Sequence, residues 1–406
     1  MMKRLVFGYL LMVGVVSMNG MAYGHGSTPT EWNAAVSGVA FGTVTHQNGD
    51  SRQIVIRHTD TTSSLTDRWK WAKAEAGRKD FDNGYWIGYS IEKQMGERSF
   101  IGSYYSDQRR NKPSLGEIVT GVRVEDLPSV TDNDFTSMEG TMDFDDEKKP
   151  RRKVRKEVGL LFHMRDNRAD EIGDQKVSNM SLRVDLDGDP LIWVGGAGYE
   201  ESVAFLEGAF KQAKSPGAKK EFMMAIGLHN DSKRAIEILK QVLLGDGDTD
   251  LREDAAFWLG QTNTDEARKI LNDVAWKDHS QAVREKAIFS MSEMDGEAST
   301  DAITSLAKGH KDDETRKQAV FWLGQKASEK ALGALKELAY EDEDTEVQKS
   351  AMFALTQMEH GGGIDELIKI ARTHPNPKIR KDAIFWLGQS EDPKAVDVLV
   401  EMVKGK

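Results

Sequence analysis

The chain of 406 residues contains no cysteine. Disulfides, thiolate metal sites, iron–sulfur clusters and a cysteine nucleophile are therefore excluded. Proline is scarce, with 9 residues, and the 37 glycines are an ordinary number, so the chain is neither collagen-like nor disordered throughout. Acidic residues outnumber basic ones by 66 to 55, and the resulting net charge of −11 argues against nucleic acid as a partner.

Long apolar runs are equally rare, and the one in this chain lies at the N-terminus. Lys3 and Arg4 precede an apolar stretch at 5–16, and small residues follow as far as Gly24. This is the pattern of a secretory signal peptide, which predicts that residues 1–24 are a leader and that the protein is exported, to the periplasm or the extracellular space. The stretch is shorter than the ~20 residues that cross a bilayer, so no integral membrane segment is expected after cleavage. An uncleaved anchor is the alternative.

Residues 25–196 show no long repeat and are predicted to form a β-rich domain. An Asn48-Gly49 turn between two apolar segments predicts a β-hairpin, and residues 66–76 predict a short helix. Strands are predicted at 39–45, 52–57, 85–91, 99–105, 157–164 and 177–186. Residues 143–156, which are first acidic and then basic, are predicted to be a charged loop.

The second half of the chain repeats with a period of 32 residues. The sequence Phe-Trp-Leu-Gly-Gln ends the segments 252–261, 316–325 and 380–389, and related segments begin midway at Arg284 and Gln348. Apolar residues recur within each unit at spacings of three and four, as they do on one face of a helix. Each unit is therefore predicted to be a helix pair that must stack on its neighbours to bury its apolar face. A leading helix and a degenerate repeat are predicted at 197–250, and five regular units at 251–406.

The segment Val283-Arg284-x-x-Ala287-x-x-x-Met291, with the apolar helix after it, resembles HEAT repeats of the short type named after phycobilisome lyases. The resemblance covers about half of the chain and implies a HEAT/ARM-like superhelix. The expected fold class is α+β multidomain, with an N-terminal β-rich domain followed by this α-solenoid. The stretch from Pro190 to the Phe-Trp-Leu-Gly units also looks like a group of exported bacterial HEAT-repeat proteins.

Motifs for catalysis or metal binding are weak, and no cofactor is predicted. Deoxyhypusine hydroxylase looks like a HEAT stack with a di-iron centre held by His-Glu pairs, but none of the nine histidines here precedes a glutamate. Asp185, Asp187 and Asp189 resemble the start of a calcium loop, but the glycine and glutamate that an EF-hand requires are missing, and acidic turns are the alternative. Copper at His25, if cleavage exposes it, and phycobilin lyase chemistry have no further motif to support them.

An enzyme, either a lyase or metal-dependent, is the rival functional prediction. Its site would lie in the β-rich domain or at the domain junction. The candidate residues are His163, Asp166, Asp185, Asp187, Asp189 and Trp193.

Aromatic residues recur in the repeats and are the candidate functional surface. One position holds Phe in all five units, and the next position holds Trp in alternate units; these residues are Phe257, Phe289, Phe321, Phe353, Phe385, Trp258, Trp322 and Trp386. Trp alternates with Ser290 and Ala354, which predicts that large side chains pack against small ones between adjacent units. The functional alternative is a ridge that binds a partner.

The main functional prediction is a non-catalytic, extracytoplasmic scaffold that binds a protein or peptide partner through the solenoid surface. The last predicted helix is followed only by Lys404-Gly405-Lys406, without a dedicated polar cap. This end of the solenoid is therefore predicted to contact a partner or a second copy, as in a homo-oligomer.

Overall fold

The structure is a computed structural model that describes residues 44–46, 53–60, 62–81, 84–96, 101, 113–121, 153–165, 172–245, 247–326, 328–358, 362–390 and 392–404. The predicted leader, the Asn48-Gly49 turn and most of the strand predicted at 99–105 lie outside these residues. The chain forms two compact units, residues 1–225 and 226–406. Within the described part of the chain, no helix is long and apolar enough to cross a membrane.

The first unit contains a mixed sheet of six strands. They are β1 (Val44–His46), β2 (Gln53–Arg57), β3 (Tyr85–Gly96), β4 (Lys153–Met164), β5 (Ile172–Asn179) and β6 (Leu191–Ala197). The strand order is β1-β2-β6-β3-β4-β5, in which β6 is parallel to both of its neighbours and the other pairs are antiparallel. The structure confirms the pairing of β1 with β2 and the predicted strands at β3 and β4, whereas sequence reasoning missed β6.

Helices lie on both faces of this sheet. They are α1 (Leu65–Arg78), α2 (Leu115–Thr120), α3 (Tyr199–Gln212) and α4 (Pro216–Gly227), the last of which contains the boundary between the two units. On one face, the ring of Trp69 in α1 lies 5.5 Å from Phe162 in β4 and 4.9 Å from Phe205 in α3, measured between centroids. Tyr89 in β3 and Ser202 in α3 share a hydrogen bond of 2.9 Å. α3 therefore packs on the sheet, whereas the sequence prediction placed this helix at the start of the solenoid.

The buried side chain of Arg68 connects α1 to β6 and α3. Its Nη1 donates to the carbonyl oxygens of Val194, at 2.6 Å, and Gly196, at 2.9 Å. Its Nη2 lies 3.7 Å from one carboxylate oxygen of Glu201, whose other oxygen accepts the amide of Leu65 at 2.6 Å. Because a buried charge is tolerated only when it is paired and hydrogen-bonded, this network fixes how both helices lie on the sheet.

The opposite face of the sheet is covered by α2 and by the segment after β5. Trp86, Leu161 and Trp193 of the sheet share one apolar cluster with Leu115 of α2 and with Met180. Leu186 belongs to the same cluster. The strand predicted at 177–186 is therefore wrong beyond Asn179, because the apolar residues that follow cross the face of the sheet instead of extending its edge.

The charged loop predicted at 143–156 is wrong at its C-terminal end. Lys153–Lys156 begin β4, and Arg155 there forms an ion pair of 3.6 Å with Glu92 of β3. Alternate side chains of a strand point to opposite faces, so Lys153 and Arg155 both remain exposed to water. Residues 143–152 lie outside the described part of the chain.

The second unit is a stack of helix pairs. After the end of α4 its helices are α5 (Lys233–Leu244), α6 (Thr249–Gln261), α7 (Asp265–Lys277), α8 (Gln281–Glu293), α9 (Glu297–Gly309), α10 (Asp313–Gln325), α11 (Glu329–Glu341), α12 (Thr345–Gln357), α13 (Gly362–Thr373), α14 (Pro377–Gln389) and α15 (Pro393–Val403). We name α6, α8, α10, α12 and α14 the first helices of their units, and α7, α9, α11, α13 and α15 the second helices. First helices pack on first helices and second helices on second helices, which confirms the predicted α-solenoid.

The polar residues between these helices end the loops by capping the next helix. In each case a side-chain oxygen accepts a backbone amide of the first turn. The capping residues are Ser232, Asp248, Thr264, Ser280, Asp312, Ser328, Asp344, Asn376 and Asp392. Each such cap contributes about 1 kcal/mol, so the acidic loops of the repeat have a structural function.

Two glycines set the distance between consecutive first helices. An ideal Cβ on Gly260 would lie 2.8 Å from the Cβ of Ser290 and 2.9 Å from its carbonyl oxygen. An ideal Cβ on Gly324 would lie 2.8 Å from the Cβ of Ala354. Ser290 and Ala354 occupy the position that holds Trp in the alternate units. This position must be small in every second unit because the glycine of the preceding helix lies against it.

We predict that Gly260→Ala destabilises the protein, although alanine is the better helix former by about 1 kcal/mol. The added methyl group would press on the backbone of the next helix, and overpacking of this kind costs about 1–3 kcal/mol. Gly333→Ala in α11 is the matched control, since its Cβ would meet no atom within 4 Å, and it should raise stability slightly. Urea unfolding measures both variants. Equal changes in the two variants would contradict the close approach at Gly260.

Candidate functional site

The predicted aromatic residues lie together along the first helices. We name the eight residues the aromatic row: Phe257, Phe289, Phe321, Phe353, Phe385, Trp258, Trp322 and Trp386. Trp322 lies between the Phe of its own unit and the Phe of the preceding one, with centroids 5.0 Å from Phe321 and 4.9 Å from Phe289. Trp386 repeats this arrangement, at 5.1 Å from Phe385 and 5.0 Å from Phe353. Each of these Trp residues therefore links two consecutive units.

The beginning of the aromatic row is built differently. Phe257 and Phe289 stack nearly parallel, with centroids 6.3 Å apart and planes 7° apart. Trp258 packs on Gly227 in α4, where an ideal Cβ would lie 2.2 Å from the indole. The degenerate unit before α6 therefore provides a glycine to receive the large ring, in place of a Phe.

The aromatic row is partly buried along most of its length. Trp258 is only 6% exposed and Phe385 is 57% exposed, and the other six residues are half-buried. Five of the six half-buried rings contact a ring of a neighbouring unit, and all six present part of their surface to water. The row therefore contributes to packing between units and also offers an apolar surface to a partner.

Charged residues flank the aromatic row and change sign along it. The position four residues before each Phe holds Glu253, Glu285, Lys317, Lys349 and Lys381 in turn. Lys349 pairs with Glu346 at 2.7 Å, and this hydrogen bond raises the pKa of the lysine. The surface is acidic near α6, with Asp250 and Glu253, and basic near α14, with Lys378 and Lys381.

A repeated arginine connects each unit to the next. In Arg284, Nη1 donates to the carbonyl oxygen of Asp278 at 2.9 Å, and Nη2 lies 3.3 Å from the carboxylate of Asp312 in the following loop. Arg252 forms a buried ion pair with Asp278, and Arg316 lies 3.2 Å from Asp344. These arginines therefore bind carboxylates and carbonyl oxygens of the loops between the helices.

Sequence reasoning missed two buried histidines in the same loops. His310 Nδ1 accepts the amide of Asp312 at 3.1 Å, and its Nε2 lies 3.3 Å from the carbonyl oxygen of Trp276. His374 makes the same contacts with Asn376, at 3.1 Å, and Tyr340, at 2.9 Å. With Nδ1 as the acceptor, Nε2 is the nitrogen that donates to the carbonyl oxygen. The signal in the sequence was the alternation of Asp and His at positions 278, 310, 342 and 374.

The candidates of the rival enzyme prediction come together only in part. His163 Nε2 lies 2.7 Å from Asp189 Oδ2, which connects the end of β4 to the turn before β6. Trp193 is 2% exposed and lies in the apolar cluster of the sheet. Asp166 lies outside the described part of the chain.

The three aspartates of the calcium alternative form a turn whose carboxylates already have protein partners. Asp185 Oδ1 accepts the amide of Asp187 at 3.0 Å, and Asp187 pairs with Lys176 at 2.8 Å. Asp189 pairs with His163 as described. Asp187 and Gly188 adopt positive φ, of 57° and 86°, as acidic tight turns do. Among the described residues, no group of three or more His, Asp or Glu side chains is placed to hold a metal ion.

Glu157 of β4 is a further perturbed carboxyl group of the first unit. Burial raises its pKa, and a hydrogen bond from Ser90 at 2.5 Å opposes that shift. The other carboxylate oxygen is buried without a hydrogen-bond partner in the described part of the chain. Glu157 pairs across the sheet with Glu92, away from the His163–Asp189 contact at the other end of β4.

Comparisons with protein families identify the helices of the second unit. A model of HEAT repeats matches residues 236–313 and 300–363, and a model of the PBS lyase HEAT-like repeat matches residues 379–405. The stack from α5 to α15 is therefore a solenoid of HEAT repeats, and its last unit is of the PBS-lyase-like type. No curated protein matches the chain.

Several solved structures are similar to about half of the chain. Human deoxyhypusine hydroxylase in complex with glycerol is 19% identical over 49% of this chain and 76% of its own, with a TM-score of 0.22. The complex of CpcE and CpcF of phycocyanin lyase from Nostoc sp. is 18% identical over 49% and 79%, with a TM-score of 0.29. The Cnd3–Cnd2 subcomplex of Schizosaccharomyces pombe condensin is 18% identical over 51% and 28%, with a TM-score of 0.32. Likenesses at this level assign no chemistry to the chain.

Proposed function

We propose that the protein is an exported, non-catalytic scaffold that holds a protein or peptide partner on its HEAT-repeat solenoid. The observation that carries this proposal is the aromatic row, whose half-buried rings extend across all five units. Solenoids present extended surfaces of this kind, and exposed aromatic residues are enriched at sites where proteins bind.

The chemistry of the aromatic row describes the partner it fits. Rings that recur once per unit favour a segment with apolar side chains at regular intervals. The acidic residues near α6 and the basic residues near α14 favour a segment with basic residues at one end and acidic residues at the other. Such a charge pattern would fix the direction in which the segment lies, and the acidic solenoid disfavours nucleic acid.

Substitution of two ring positions tests the proposed surface. Phe321→Ser and Phe353→Ser remove the exposed ring surface in two central units, so partner capture by crosslinking in cell-envelope extracts should fall at least about tenfold, as loss of a central aromatic contact predicts. Leu244→Ser is the matched control. Leu244 lies at the end of α5, before the five repeats, and is an apolar residue that is 55% exposed and outside the aromatic row.

Circular dichroism of all variants distinguishes lost binding from lost folding. If the Phe variants fold and capture the partner as well as the wild type does, the aromatic row is only a packing feature and the proposed surface is wrong.

The proposed location outside the cytoplasm is based on residues 1–24, which have the three parts of a signal peptide. Expression of the full chain in a bacterial host should yield an extracytoplasmic protein whose N-terminus begins near His25. N-terminal sequencing of the fractionated protein measures this directly. An intact Met1 on a cytoplasmic protein would contradict the proposal.

A catalytic role in the first unit is the second candidate. The contact of 2.7 Å between His163 and Asp189 favours it, because a carboxylate commonly orients a histidine that acts as a base. Stoichiometric metal in the purified protein, lost in an Asp189→Asn variant, would support this candidate over the scaffold.

The scaffold is also proposed to make a contact through the outer surface of α14 and α15, with a partner or with a second copy. Large apolar side chains are exposed there: Ile384, Phe385, Val396, Val400 and Val403. The helix pairs before α14 bury the residues at the positions of Ile384 and Val403.

A further inference from the structure

We infer that two copies of the chain associate through α14, with the two helices antiparallel about a twofold axis near residue 386. The inference rests on the proposed contact role of α14 and α15 and goes further by naming the occupant and the register. We name the surface concerned the terminal face: Arg380, Ile384, Gly388, Leu399 and Val403, with Val396 and Val400 beside them.

Three apolar residues of the terminal face, Ile384, Leu399 and Val403, occupy positions that are buried in every preceding unit. Ile384 is 40% exposed, whereas the residues at the same position in the other first helices, Ala256, Ile288, Val320 and Met352, are fully buried. Val403 is 89% exposed, whereas Ala275, Ala307 and Ala339 at the same position of the second helices are fully buried. The terminal face therefore has the chemistry of an interface between helix pairs, left open to water.

The space beside Gly388 is open, whereas the space beside the equivalent glycines of earlier units is filled. In α6 and α10 the equivalent Gly260 and Gly324 lie against Ser290 and Ala354, at distances under 3 Å from an ideal Cβ. At Gly388 the nearest atom to such a Cβ is Leu399 Cδ1, at 4.0 Å. A cavity of about 310 Å³ lies beside it, lined by apolar residues that include Leu387, Val396 and Val400. A side chain from outside the chain fits over this glycine.

The spacing along α14 makes the terminal face self-complementary. Ile384 and Gly388 are one helical turn apart, on the same stripe of the helix. In an antiparallel pair whose axis passes near residue 386, Ile384 of each copy lies opposite Gly388 of the other. A large side chain then fills the space over a glycine twice, which is the contact that a twofold interface requires.

The charges on α14 agree with this register. The helix begins with Lys378, Arg380 and Lys381, although cations in a first turn oppose the helix dipole. Among the described residues, Arg380 donates only to the carbonyl oxygens of His374 and Pro375, whereas Arg284 at the same position also contacts Asp312 of the next unit. The antiparallel register places this basic first turn beside the C-terminal turn of the other α14, where the helix dipole favours cations. A head-to-head pairing of two basic helix ends would lack this complementarity.

Sedimentation equilibrium of the purified protein tests the association. A dimer that dissociates on dilution is expected, and Ile384→Lys should weaken it at least about tenfold, as loss of a central buried contact predicts. Leu244→Lys is the matched control and should leave the dimer intact, since it places the same charge on an exposed apolar residue away from the terminal face. Circular dichroism confirms that both variants fold.

Crosslinking tests the register. Because the chain has no cysteine, Ile384→Cys and Gly388→Cys can each be made without background thiols. A mixture of the two variants should form a disulfide-linked dimer much faster than either variant alone, because only the 384–388 pair lies within disulfide reach.

The possible outcomes separate this inference from the proposed scaffold function. A monomer at every concentration, a dimer that Ile384→Lys does not weaken, or equal crosslinking in the mixture and in the single variants would each overturn the inference. Partner capture through the aromatic row is measured with Phe321→Ser and Phe353→Ser, which should leave the dimer unchanged, so either idea can fail alone.

Discussion

The close approach of consecutive first helices at Gly260 and Gly324 is the constraint on which the second unit depends. A glycine in every second unit brings the backbone of its helix against a small residue of the next one. The Trp that would otherwise stand at that position is then confined to the alternate units, where Trp322 and Trp386 each lie between two Phe rings. The alternation of Trp with small residues from unit to unit thus follows from packing, and so does the spacing of the aromatic row.

The same constraint explains why one set of residues has both a structural and a functional interpretation. Dispersion contacts between stacked units stabilise a solenoid one neighbour at a time, so the aromatic rings must touch adjacent units. Six of the eight row residues are half-buried, so they keep part of their surface exposed to water while they pack. Where the packing partner is missing, at Gly388 and Ile384, the same chemistry becomes an exposed surface.

The repeats could be predicted from the sequence because their contacts are local and recur. Ala, Phe and Leu at fixed spacing specify a helix pair, and the arginines and capping residues repeat with it. The first unit could not be predicted to the same depth. In its sheet, β6 pairs with both β2 and β3. These pairs join residues more than 100 positions apart, and no periodic pattern in the sequence indicates them. The helix at Tyr199 was assigned to the solenoid because its apolar face carries no mark of the surface it covers, and only the contacts of Phe205 and Ser202 place it on the sheet.

A double-mutant cycle at Gly324 and Ala354 tests the central constraint most directly, because the two residues belong to adjacent first helices and touch. Gly324→Ala should destabilise the protein, and Ala354→Gly should cost about 1 kcal/mol through helix propensity. In the double variant the methyl group has only changed sides, so the stability measured by urea unfolding should return most of the way to that of the wild type. Strictly additive losses would show that the glycine does not set the spacing of the helices and would contradict the account.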